Sequence, residues 1–337
     1  MEFETKGSVR VDLLGGTLDL APINLILDGA YTLNVATSLK ANVLLRTTDF
    51  DGIEINSIDY NSVVKFESAK FTKENLSSGE FKELRFVAEI FHYFGTTSGV
   101  YAEMKSGSPP GAGLGGSSTM GVTLFKALCK FNGISFSRVE AIKVVSGIER
   151  MILMKGQTGY QDYYPALYGG ILCLKPHPLA PEVAQLYTPE LASYLCEHLT
   201  LVSSGKSRLS GINNWEVYKS FFDGDERVQK GLAKIARLAS RGYQAISDGQ
   251  YSKLKELIIA EGVEREQLWP GIVIDEVVAF RDQLTQIDSG SGIKICGAGG
   301  GGCFLAIHSK EAKADVQHLI SECRMSELAF QIDPPLT

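Results

Sequence analysis

No run of lysines and arginines interrupts this 337-residue sequence, and its formal net charge is -6. The electrostatic footprint of a nucleic-acid binder, or of a protein that docks on anionic lipid, is therefore missing, and neither partner is expected. No apolar stretch approaches the roughly 20 residues that span a bilayer, and the start, MEFETKGSVRVDLL, lacks the basic end and apolar core of a signal peptide. A soluble protein that stays in the cytoplasm is the expectation. Six cysteines (Cys129, Cys173, Cys196, Cys296, Cys303 and Cys323) form no C-x-x-C pair. They read as reduced core thiols, neither disulfides nor a zinc site. Internal repeats and low-complexity segments are also lacking. What is present is ample apolar material, 44% of the residues, enough for one large or two ordinary cores.

Period-two alternation in SVRVDLL, YTLNVATSLKANVLLRTT, GIEIN and SVVKFES predicts strands with one face covered. FKELRFVAEIFHYFG switches to helical spacing and ends at Gly95, a C-terminal cap. GVYAEMKS returns to strand, followed by a helix from about Ser117 to Lys130 and another opened by the capping box Ser137-x-x-Glu140. ALYGGILCLKP reads as a strand and KPHPLAP as a boundary, which divides the chain into residues 1–178 and 179–337. Beyond it, LTLVSSG predicts a strand and the amphipathic patterns between Asn213 and Ile287 predict several helices. Two short strands around a glycine run, a helix and a last strand, AFQID, complete the chain. Strands and helices fall in blocks, so the fold class is α+β rather than a doubly wound parallel sheet.

Two glycine runs satisfy G-x-G-x-x-G: Gly111, Gly113 and Gly116 in SPPGAGLGGSST, and Gly297, Gly299 and Gly302 in CGAGGGGC. Neither has the setting of a dinucleotide site. The strand before the first alternates polar and apolar residues, and the acidic residue that follows, Glu140, lies inside a predicted helix. The second is followed by the strand CFLAI, which makes it a turn. With no lysine before the serine or threonine, the phosphate loop of nucleotide hydrolases is excluded as well. What the first run retains is a glycine loop entering a helix N-terminus, whose unpaired N–H groups and dipole make an anion cradle. A plain connector is the competing reading of the same residues.

PPGAGLGGSST resembles the central motif of the GHMP kinases, P-x-x-x-G-L-G-S-S-A, and that superfamily's other two motifs have counterparts in VRVDLLGGTLDLAP and IKICGAGGGGCFLAI. The resemblance spans essentially the whole chain. It implies an N-terminal domain of the ribosomal-protein-S5 second-domain type, a ferredoxin-like C-terminal domain, and ATP and magnesium as cofactors. It also implies that Pro110, Gly111, Ala112, Gly113, Leu114, Gly115, Gly116, Ser117 and Ser118 cradle the ATP phosphates. By the same resemblance Ser117 and Glu149 contact the metal, Asp162 is the catalytic base, and Arg10 is the cation beside it. Such roles suit phosphoryl transfer, which needs a metal on the phosphates, fixed donors for developing charge and a group to orient the attacking hydroxyl. Gly116 and Ser118-Thr119 depart from the family's Ser and Ala-Ala, which keeps the backbone cradle but changes the hydroxyls.

The acceptor is implied by the first motif. Galactokinases carry G-E-H-T-D there, whereas Gly15-Gly16-Thr17-Leu18-Asp19 is closer to the G-G-G-T-D of heptose 7-phosphate kinases and the G-G-W-T-D of fucokinases. Gly15, Gly16 and Asp19, with Gly299 and Gly300 of the second run, are then the expected acceptor contacts. SSGKSRLS resembles the T-G-x-x-R-x-S of heptose kinases, so Arg208 or Lys206 would pair with a phosphate on the acceptor. The expectation is a kinase of a sugar or sugar phosphate, foremost a heptose 7-phosphate 1-kinase. A free-sugar 1-kinase, another GHMP kinase and a sensor that binds sugar and ATP without turnover are the alternatives.

Overall fold

A computed structural model describes residues 2–153, 159–206 and 212–337, with the side chains of 212 and 213 left aside. The long strands β1 (Glu2–Leu14) and β2 (Thr32–Thr47) pair antiparallel and form the spine of the first sheet. β3 (Gly52–Ser57), β4 (Ser62–Glu67) and β5 (Val100–Lys105) continue it on one side, with β5 antiparallel to β2 and parallel to β3. β6 (Ile171–Lys175) pairs with the N-terminal end of β2, and β7 (Glu182–Gln185) pairs with β6. Buried and partly exposed residues alternate along β5, as a sheet covered on one face requires. β6 is buried on both faces and carries a continuous apolar run instead.

A smaller antiparallel sheet follows, in the order β11 (Ser326–Glu327), β8 (Leu199–Ser203), β10 (Cys303–Ile307), β9 (Gly292–Ile295). The helices between β8 and β9 include Glu226–Ser247, which Asp225 caps by accepting from Arg227 N and Val228 N at 2.9 and 3.3 Å. Strands and helices thus segregate in blocks, and the fold is α+β. Val9, Val11 and Val35 of the first sheet share one apolar cluster with Leu201 and Leu305 of the second. The chain also returns: β7 and the bridges Thr37–Ile332 and Gly169–Pro335 attach later segments to the first sheet.

Three local expectations change. The helix expected over FKELRFVAEIFHYFG is a 3-10 turn, Lys82–Leu84, followed by an α-helix, Arg85–Tyr93, because Lys82 sits in the left-handed region (φ 44°). ALYGG is no strand: Pro165–Tyr168 form a helical turn opened by proline, and extended backbone resumes only at Ile171. AFQID contributes a single bridge at Ile332, since the edge strand is Ser326–Glu327 and the segment then crosses to the first sheet. The capping-box serine is in place, its Oγ accepting from Glu140 N at 3.1 Å ahead of the helix Arg138–Leu153.

Candidate active site

The two glycine runs meet back to back. Gly113 and Gly297 adopt left-handed φ of 78° and 68°, and a Cβ on Gly113 would stand 2.5 Å from the Cys296 carbonyl oxygen. One on Gly297 would stand 2.7 Å from the Gly113 carbonyl oxygen. Close backbone approach between the loops is thus what requires glycine here. Cys303 N donates to Ala112 O at 2.8 Å and Arg10 N to Leu114 O at 3.1 Å, so the first loop is clamped between the second run and β1. It leads into the helix Gly116–Phe131 through Gly115, which is left-handed and offers no side-chain cap. The first N–H groups of that helix are left for a ligand that brings acceptors.

Asp162 lies against this entrance, its Cγ 2.9 Å from where a Cβ on Gly115 would be. Its Oδ1 accepts from Arg10 Nε at 2.7 Å, while Arg10 Nη1 donates to Gly113 O at 2.8 Å and pairs with Asp12 Oδ1 at 3.1 Å. Arg10 is 4% exposed, so the strand arginine points into the molecule. Burial opposes its charge, but Asp162 and Asp12 more than offset this and raise its pKa. Asp19 is equally buried, and its Oδ2 accepts from Gln161 N at 3.2 Å. Burial, with the Asp162 charge adding to it, pushes the Asp19 carboxyl up to about 6.

Glu149 is buried rather than an exposed helix residue: its Oε2 accepts from Ser118 Oγ at 2.8 Å and from Tyr163 OH at 2.5 Å. Burial pushes its pKa up, against hydrogen bonds from Tyr163, Ser118 and Ser117. Ser117 itself is exposed in the first helical turn, so both serines border the carboxylate and Ser118 is the one locked to it. Among the described residues no three His, Cys, Asp or Glu side chains converge as a metal cage.

Arg10, Asp12, Gly16, Asp19, Asp162 and Gly297 line one cleft, together with Asn214 and Arg265. Gly15 is drawn away from it. Glu261 Oε2 and Oε1 accept from Gly15 N and Gly16 N at 2.6 and 3.2 Å, so both backbone donors are already used. Gly299 and Gly300 pack on Ile272, whose carbonyl accepts from Gly300 N at 3.0 Å, and neither lines the cleft. Lys206 is exposed and pairs with Glu276 at 3.2 Å; Arg208 lies outside the described residues.

Sequence reading missed the ionic layer beneath the cleft. Lys294 is fully buried on β9 and reaches Asp12 Oδ2 at 2.5 Å and Glu261 Oε1 at 3.4 Å. Burial alone would raise the Asp12 carboxyl, but Lys294, Arg10 and Arg265 together hold it well below the usual carboxylate range. Signals existed. Arg10 and Asp12 occupy alternate positions in the apolar strand VRVDLL, Lys294 sits between isoleucines, and Glu261 and Arg265 are four apart on a helix face that is otherwise buried.

A mixed two-sheet α+β protein, with a glycine loop at a helix entrance beside an Arg–Asp pair, is the class that this fold and site define. Residues 82–170 match the GHMP kinases N terminal domain. Over that segment the chain resembles the GHMP kinases. It is 26% identical over 90% of its length to the bifunctional fucokinase/GDP-fucose pyrophosphorylase of Arabidopsis thaliana, of which it covers 30%. It is 27% identical over 88% of its length to the D-glycero-alpha-D-manno-heptose 7-phosphate kinase of Campylobacter jejuni, covering 87% of that protein. The crystal structure of a D-glycero-D-manno-heptose 1-phosphate kinase from Bacteroides thetaiotaomicron superposes with a TM-score of 0.76 at 18% identity, over 99% of this chain and 97% of that one.

Proposed function

We propose that this chain is an ATP-dependent kinase that phosphorylates a hydroxyl of a sugar or sugar phosphate, foremost C1 of a heptose 7-phosphate, with a free-sugar 1-kinase as the alternative. In this reading residues 1–178 bring the phosphate loop and the reacting groups, and 179–337 close the site. The observation that carries it is the Arg10–Asp162 pair, held at 2.7 Å against the entrance of the helix that begins at Gly116. Acceptor hydroxyl and phosphate can meet there. Asp162 has one oxygen engaged by Arg10 and takes the hydroxyl proton on the other. The oxygen bonds to the terminal phosphorus, the bond to the bridging oxygen breaks, and ADP leaves, with the helix N–H groups and Arg10 facing the developing charge. The relatives' names support a sugar acceptor; ADP release over a panel of heptose 7-phosphate, hexose 6-phosphates, galactose, fucose and mannose tests it. Silence on every acceptor, with ATP and sugar still bound, would favour the sensor.

The donors around Glu149 fit magnesium: they are a carboxylate and serine hydroxyls, hard oxygen ligands of the kind that hold this ion together with substrate phosphates and water. When bound, the ion would neutralise charge on the phosphate oxygens. Glu149→Gln and Ser117→Ala should therefore weaken magnesium-nucleotide binding, with activity partly recovered at high magnesium. If neither variant alters the magnesium dependence, these two positions are not metal contacts.

Asp19 adds a pH signature. Its raised folded-state pKa means that the folded protein takes up a proton there; this contribution to stability is present at low pH and lost as pH rises through about 6. Acceptor binding by the ionised carboxylate runs the other way. The acceptor KM is expected to be roughly tenfold higher at pH 5 than at pH 7, and Asp19→Asn to flatten that profile. A profile unchanged by Asp19→Asn would remove Asp19 from acceptor binding.

A further inference from the structure

Arg265 is 2% exposed on the helix Lys253–Glu266, and it lines the same cleft as Asp19 and Asp162. One nitrogen, Nη2, donates to the Gly297 carbonyl. Nε and Nη1 have no acceptor among the described residues. A guanidinium stays charged when buried, and leaving its N–H groups unpaired out of water is costly, so two such buried donors on a residue that lines a cleft point to a partner that arrives from outside. The other arginine that lines the cleft, Arg10, has both Nε and Nη1 engaged, by Asp162, Asp12 and Gly113 O.

Gly16 is the second, independent observation. Its φ is not in the left-handed region, so the turn itself does not demand glycine. Space does: a Cβ there would stand 2.5 Å from Arg265 Nη1 and 2.5 Å from Asp12 Oδ2. The first-motif turn is thus kept bare where it passes over the guanidinium. Anchored at Gly297 and overlaid by Gly16, Arg265 sits beside a glycine that the proposed reading assigns to the acceptor.

We propose that Arg265 binds an oxyanion carried by the acceptor, a phosphate ester or a carboxylate on the sugar, through the N–H groups that none of the described residues engages. The inference rests on the kinase reading for its setting and names the acceptor as an acidic sugar. Charge-assisted hydrogen bonds from a desolvated guanidinium are strong enough to set that preference.

The test compares hexose 6-phosphate and heptose 7-phosphate, hexuronate, and the neutral parent sugars, by isothermal titration and by ADP release with the full chain. The wild type should bind an anionic sugar more tightly than its neutral parent, the phosphate and carboxylate arms showing which anion is meant. Arg265→Gln should raise Kd and KM for it by roughly 10- to 100-fold, leaving neutral sugars within about threefold. If Arg265→Gln does not fold, Arg265→Lys decides, with a rise of roughly 3- to 10-fold for the anionic sugar only. No preference for the anion, or a loss equal for charged and neutral acceptors, as contact with the transferred phosphoryl group would produce, overturns the proposal. Anion-selective binding that depends on Arg265 without any ADP release would instead leave the proposal standing and overturn the kinase reading.

Discussion

Asp162→Asn should lower kcat by roughly 10²- to 10⁴-fold, the range for loss of a general base, while the KM for ATP stays within about threefold. The substitution is nearly isosteric, and the amide oxygen can still accept from Arg10 Nε, which now donates to Asp162 Oδ1 at 2.7 Å. What the amide cannot do is take a proton. The loss therefore falls on turnover. Arg10→Met should behave differently, because Arg10 Nη1 also holds the Gly113 carbonyl and pairs with Asp12. Both kcat and nucleotide KM should worsen there, and stability should fall with them. Initial rates of ADP release against each substrate, with thermal melts as a folding control, separate the two variants. Near-normal turnover by Asp162→Asn would take that carboxylate out of the proposed mechanism.

Lys294→Met should destabilise the fold by about 3–5 kcal/mol, the usual cost of removing one partner from a buried ion pair. The ammonium is fully buried, donates to Asp12 Oδ2 at 2.5 Å and to the Asp12 carbonyl at 3.1 Å, and lies 3.4 Å from Glu261 Oε1. Asp12 would keep Arg10 at 3.1 Å, while Glu261 would keep the backbone donors of Gly15 and Gly16 and the nearby charge of Arg265 but no ammonium partner among the described residues. The deficit should depend on pH with a defined sign. Burial already pushes the Glu261 carboxyl up. Without Lys294 it rises further above its unfolded value, so the variant's folded state takes up a proton and the deficit shrinks at acid pH. It grows again as pH rises. Urea unfolding of parent and variant at acid and neutral pH measures both; a difference below about 1 kcal/mol at neutral pH would show that the cluster does not depend on Lys294.

These two substitutions also divide what could be read from the chain alone from what could not. Strand and helix periods were legible wherever local spacing and burial agree. Arg85–Tyr93 and Gly116–Phe131 lie within or close to the predicted helices, and β3 and β5 within or against the predicted strands. They failed where tertiary contacts dominate, at Lys82, at Pro165–Tyr168 and in the C-terminal segment whose bridge partner, Thr37, lies far back in the chain. The site divides in the same way. The glycine loop, Asp162, Glu149 and Asp19 could be named from ordered motifs, because each motif is a local run of residue types.

What the sequence by itself determined is therefore a composition without an apolar run long enough to cross a membrane as a helix, an α+β succession of elements, and a set of residues grouped in glycine-rich motifs. Tertiary structure alone decided which of them meet. It turned Arg10 inward onto Asp162, spent the Gly15 and Gly16 N–H groups on Glu261, set Gly299 and Gly300 against Ile272, and placed the buried Arg265 in the wall of the cleft. The reason is physical. A charge on an apolar strand or helix face must find its counter-charge or a ligand once water is excluded. The partners of Asp12 and Arg265 in this fold, Lys294 and Gly297, come from sequence positions too distant for any local pattern to announce.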